Sequence, residues 1–71
     1  MTRAEFWARK LVQAESLGIN IDDMLNAMVV ECVSAGNVDG CSTTNFADGS
    51  ILRVRPIMTQ NGRMGQVEWI A

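Results

Sequence analysis

The chain has 71 residues, 48% of them hydrophobic and 20% charged, with six Lys and Arg against eight Asp and Glu for a net charge of −2. A chain of this length holds one small core, too apolar for a disordered tail and too acidic for a strongly basic nucleic-acid binder. Histidine is absent, which removes the commonest general base and the commonest zinc ligand.

A first helix is expected from Thr2, because Thr2-Arg3-Ala4-Glu5 has the spacing of a reciprocal capping box. Ala4, Trp7, Ala8, Leu11 and Ala14 recur at three- and four-residue steps and form one buried stripe. Arg9, Lys10 and Gln13 take the outward side, and Gly18 is the stop. A second helix follows almost at once, with Asn20 as N-cap and Asp22 and Asp23 in the first turn, where the helix dipole favours negative charge. Ile19 and Met24 have the spacing of a hydrophobic staple. Ile21, Met24, Leu25, Met28 and Cys32 make its stripe, widened by Val29 and Val33. A helix apolar over that much of its surface is expected to be sandwiched, between the first helix and a sheet or against a second copy. Ala35-Gly36-Asn37 is expected to end it.

Turns and alternation then replace the helical spacing. Phe46-Ala47-Asp48-Gly49-Ser50 suits a three-residue hairpin loop, and Gln60-Asn61-Gly62-Arg63 a two-residue turn. The expected strands are 41–46, 50–58 and 63–70. A turn at Asn61-Gly62 pairs Val54 with Trp69 and Arg55 with Glu68, and gathers Phe46, Leu52, Val54, Met58, Val67 and Trp69 on one face. Pro56 then sits opposite Val67 at a hydrogen-bonded position without an N–H to give. The alternative, a bulged turn one residue tighter, spares that bond but moves Trp69 and Val67 to the face of Arg53 and Arg55. Segregation of faces favours the first register. The expected fold is α+β, a single domain over 1–71 with a helical hairpin over 1–36 packed on a three-stranded antiparallel sheet over 41–70.

Groups able to carry chemistry are sparse. Adjacent Asp22 and Asp23 point in different directions from a helix and form no dyad. Gly36-Asn37-Val38-Asp39-Gly40 is followed by no Gly-Lys-Ser/Thr, so it is no phosphate loop. Cys32 and Cys41 have no histidine partner and no zinc spacing, and are expected as reduced thiols. No enzymatic activity, metal or cofactor is expected. The run Ala27-Met28-Val29-Val30 is too short to span a bilayer, and Met1-Thr2-Arg3-Ala4-Glu5 opens no apolar signal region, so a cytoplasmic protein without membrane contact is expected.

Recognition chemistry has more to work with. Ile51, Arg53, Arg55, Ile57, Glu68 and Ile70 alternate out of the expected core. Isoleucines among Arg and Glu resemble a partner-binding face, apolar area supplying affinity and charges setting register. Two helices followed by a hairpin also outline a small winged-helix nucleic-acid-binding regulator, with Arg53, Arg55 and Arg63 on phosphates. Asp22 and Asp23 oppose that reading by meeting the phosphates first. The expectation is a non-enzymatic protein-binding module that occupies a surface of a host or cognate protein. Stand-alone acidic proteins of this size are frequent among phage and mobile-element inhibitors of host enzymes or defence complexes, anti-CRISPR proteins among them. A core this small also makes a homodimer an expected state.

Overall fold

Thr2 starts the first helix as its spacing requires. In the computed structural model, which describes residues 1–71, the Thr2 hydroxyl accepts from the Glu5 backbone N–H at 3.1 Å and donates to the Glu5 carboxylate at 3.3 Å. Helix α1 spans Arg3–Leu17 and buries Ala4, Trp7, Ala8, Leu11 and Ala14, the expected stripe. Phe6 is half-buried, edge-on to Trp7 with ring centroids 5.4 Å apart, and the Arg3 guanidinium covers it at 4.2 Å. Gly18, at φ 68°, closes the helix with Gly18 N–H on Glu15 O and Ile19 N–H on Ala14 O, the paired bonds of a Schellman motif.

Helix α2, Asp22–Glu31, is shorter than its composition suggests. The Asn20 side chain accepts from the Asp22 N–H at 2.8 Å, but the residue flanking the helix is Ile21, so the start moves one place. At the other end Cys32 turns extended, and Val33 N–H donates to Asn45 O. Cys32 and Val33 therefore leave the helix. Ile21 and Met28 are buried, and Met24 and Leu25 partly so. Val29, Val30 and Val33 stay exposed, as does Ile19, the expected staple residue. The expected sandwich between the first helix and the sheet is thus corrected: within one chain α2 is covered on one side only, and its valines stay exposed.

Four strands follow rather than three: β1 Ser34–Val38, β2 Cys41–Asn45, β3 Ile51–Thr59 and β4 Gly62–Ile70, in one antiparallel sheet of order β1-β2-β3-β4. The added strand comes from Asp39-Gly40, at φ 53° and 79°, joining paired Val38 and Cys41. Positive φ at both central residues is the type I′ geometry whose twist matches antiparallel strands. The segment between the expected helix end at Ala35-Gly36-Asn37 and the strand from 41 is therefore a strand and a hairpin turn.

The β2–β3 loop is as expected, with Phe46 N–H on Ser50 O. It also anchors α1: Asp48 accepts from Arg3 N–H at 2.8 Å, and Ser50 Oγ from Ala4 N–H at 3.1 Å. Two N–H groups that a helix start leaves without partners are satisfied from the β2–β3 loop. Asp48 also accepts from the Ser50 hydroxyl and N–H. These bonds, the Ser50 hydroxyl foremost, lower the Asp48 carboxyl from 3.8 to about 2.

The β3–β4 register corrects both expected pairings. Thr59 pairs with Gly62 around Gln60-Asn61, so Gly62, at φ 105°, follows the turn instead of sitting inside it. Pro56 faces Gly65 and Val54 faces Val67, whereas beyond a bulge Arg53 faces Trp69 and Leu52 faces Ile70. Glu68 is the unpaired extra residue, and an extra residue inverts the alternation of every residue beyond it.

The core joins Ala4, Trp7, Ala8, Leu11 and Ala14 of α1 to Ile21, Met28, Phe46, Leu52 and Val54. Alanines on the buried stripe let α1 lie close on β4, its main neighbour in the sheet. Gly65 makes that approach possible, since a Cβ there would stand 2.8 Å from Ile21 Cδ1. Glu31 ties the helices together, accepting from Arg3 Nη2 and from Trp7 Nε1, each at 2.9 Å.

Candidate functional site

Strand alternation sorts the expected partner-binding residues by their relation to buried Leu52 and Val54. Ile51, Arg53 and Arg55 lie on the opposite face of β3 from those core residues. The Glu68 bulge decides the rest. Glu68 reaches Arg55, whose Nε donates to its Oε1 at 2.7 Å, although the register partner of Arg55 is Gln66. Trp69, expected in the core, arrives opposite Arg53 and is 41% exposed. Ile70 makes the reverse move: it pairs with Leu52 and joins the helix-covered face, so its expected place on the outer face is corrected.

The outer face is held together by polar contacts. The Glu68 hydrogen bond raises the Arg55 guanidinium above its ordinary value, with Cys41 adding to the effect. Cys41 lies beneath this pair, buried, with Sγ 4.0 Å from Glu68 Oε1; both cysteines are free thiols. Arg53 Nη2 reaches across β2 to donate to Val38 O at 3.3 Å and forms no ion pair, so its charge on the outer face is uncompensated. Ile57 has the same parity as Arg53 and Arg55 but sits at the far end of the hairpin. There it borders a hollow of about 260 Å³ with Met64, Glu15 and Gly18. The structure does not bring it together with Arg53 and Trp69.

The larger hollow was not legible in the sequence. Ala8 and Val12 of α1 face Val67 and Ile70 of β4 across a groove of about 510 Å³, rimmed by Glu5, Arg9, Gln13 and Ser16. Val12 and Ile70 leave much of their surface exposed to it. The available signal was Val12 lying off the buried stripe of α1, but its partner Ile70 reaches that face only through the bulge.

The arginines of the nucleic-acid reading are mostly committed elsewhere. Arg55 is paired with Glu68, and Arg63 Nε lies 3.6 Å from Asp22 Oδ1. No helix is long and apolar enough to cross a membrane. Comparison with known proteins finds no matching family model, no matching curated protein and no matching solved structure.

Proposed function

We propose that this chain is a non-enzymatic, intracellular protein-binding module that acts by covering a surface of a host or cognate protein. Inhibition of a host enzyme or defence complex, in the manner of anti-CRISPR proteins, is the form that its size and weak acidity favour. The contact is made by Trp69 and Arg53 at its centre, with Ile51, Arg55 and Glu68 around them. The observation that carries this reading is the pairing of exposed Trp69 with Arg53 on the outer sheet face. Tryptophan and arginine dominate the binding energy of protein interfaces when they enter a partner's pocket together. Here the bulge spends an otherwise core-forming indole on the surface. The Arg55–Glu68 pair at the rim supplies orientation more than affinity. The winged-helix alternative rests on Arg53 alone once Arg55 and Arg63 are paired with carboxylates.

The test is a pull-down with the immobilised chain from lysate of its host, with and without nuclease, using Arg53→Glu/Trp69→Ala as the matched control. The expected result is a protein retained after nuclease treatment by the native chain, lost with the double variant, and inhibited stoichiometrically without turnover. Retention that vanishes with nuclease, or that is equal for the variant, would overturn the reading.

A further inference from the structure

The sheet ends in two very different edges. β4 is shielded: Ile21 N–H donates to Arg63 O along its outer side, Arg63 places a charge there, and the Glu68 bulge breaks the strand's regularity. These are the usual devices by which an edge avoids pairing with other chains. β1 has none of them. All five of its residues, Ser34-Ala35-Gly36-Asn37-Val38, are exposed, and no charge or proline occurs from Cys32 through Val38. The residue pair closing a two-residue hairpin turn is hydrogen-bonded, so Val38, Gly36 and Ser34 direct their backbone groups to β2. The N–H and C=O groups of Ala35 and Asn37 therefore point away from the sheet with no partner.

α2 leads into this edge through extended Cys32 and Val33, whose N–H donates to Asn45 O where the β1–β2 pairing begins. Val29 is about 160° around the helix from Glu31, the residue that holds α1. α1 packs on β4 and β3, at the other end of the sheet from β1, and Val29 lies on the side of α2 away from α1. Val30 is 87% exposed and Val33 66%. Ala35 aligns through Thr44 with core residue Leu52, and so lies on the helix-covered face of β1, small enough to leave room above it.

We propose that β1 pairs antiparallel with β1 of a second copy of this chain, joining two sheets into one of eight strands with the α2 valines packed together over the seam. Several features select a second copy over a foreign strand. An uncharged segment faces itself across a two-fold axis with no like-charge contact, and it offers a foreign partner no charge to recognise. A two-fold axis normal to the sheet leaves both helical layers on one side, so Val29, Val30 and Val33 meet their own counterparts. A minimal stable interface covers about 600 Å² per partner, about a seventh of the 4330 Å² surface. The strand alone falls short of that, and the adjoining valines make up the difference. The dimer does not depend on the outer-face reading, but it would present two Arg53–Trp69 sites on one continuous surface.

Sedimentation equilibrium of the native chain, with amide hydrogen exchange read across a dilution series, tests this. The expected result is a particle of twice the 7.8 kDa chain mass, with the Ala35 and Asn37 amides protected when concentrated and exchanging freely when diluted. Val30→Lys/Ala35→Lys is expected to weaken dimerisation about a hundredfold or more while the circular dichroism of the monomer is unchanged. A native chain that stays monomeric at high micromolar concentration overturns the proposal. So does a dimer whose Ala35 and Asn37 amides remain unprotected, which would place the contact elsewhere. If the lysine variant fails to fold, exchange on the native chain decides the matter alone.

Discussion

Adding one methyl group at Gly65 tests whether α1 and the interhelix loop sit on β4 as described. A Cβ at Gly65 would lie 2.8 Å from Ile21 Cδ1, 3.0 Å from Val54 Cγ1 and 3.2 Å from Leu11 Cδ2. Carbon atoms rest about 3.5–4.0 Å apart, so all three contacts are short together. Ile21 Cδ1 is a chain end and can swing, but Val54 is β-branched and stiff at χ1. All three side chains are fully buried, so none has solvent to move into. Overpacking of this kind costs about 1–3 kcal/mol, offset by about 0.4–1 kcal/mol from the smaller entropy of the unfolded alanine chain. The net loss for Gly65→Ala is about 1–2 kcal/mol, a fall in Tm of roughly 5–15 °C for a domain of this size. Gly36→Ala is the control, since its Cβ meets nothing within 4 Å, and its Tm is expected to stay level or rise slightly. Thermal and urea melts by circular dichroism at one fixed protein concentration measure both. A Gly65→Ala protein as stable as the native chain would refute the packing of α1 and Ile21 on β4.

Three further outcomes follow from the same geometry. Asp48→Ala removes the acceptor for Arg3 N–H and for Ser50 and is expected to lower Tm at neutral pH. Because folding depresses the Asp48 carboxyl from 3.8 to about 2, its contribution is complete above about pH 4 and is lost as pH falls toward 2. Melts across that window should show native stability declining and the gap to Asp48→Ala closing; a constant gap would contradict the assignment. Glu31→Ala strips acceptors from Arg3 and from the buried Trp7 indole, and is expected to lower Tm more than Glu68→Ala, whose partner Arg55 is exposed. Arg53→Glu/Trp69→Ala is expected to keep native Tm within about 3 °C, as surface changes do, whereas Ile57→Asp is expected to destabilise by putting a charge beside buried Met64. Equal melts for those two variants would mean that Ile57 belongs to the open face after all.

Local signals carried most of the helical half. The Thr2 cap, the α1 stripe and the Gly18 stop depend on residues within one or two turns of each other, and all appear as read. The Phe46–Ser50 loop was legible for the same reason. The Asp39-Gly40 turn was equally local and equally strong as a hairpin signal. Val29 and Val33 nonetheless extend the apolar pattern of α2 past Glu31, and a longer helix leaves no room for β1. Hydrophobicity at helical spacing does not distinguish valines facing a core from valines facing water.

The outer-face site divides along the same line. Alternation along β3 placed Ile51, Arg53 and Arg55 together on one face, because period-two geometry is a property of a single strand. Which residues of β4 stand beside them depends on the pairing of two strands, and neither expected register contained the answer. Near the turn Val67 shares a face with Val54, as segregation of apolar residues demanded; past Glu68 Trp69 shares a face with Arg53, as the rejected alternative had it. Sequence by itself determined the α+β class, the Thr2 and Gly18 caps, the buried stripe of α1 and the Phe46–Ser50 loop, all set by interactions between near neighbours. Tertiary structure alone decided the unguarded edge of β1, the groove between α1 and β4, and the exchange of Trp69 for Ile70. Each of these depends on one unpaired residue or one helix end, whose cost is set by how distant segments pack and not by the residues adjoining it.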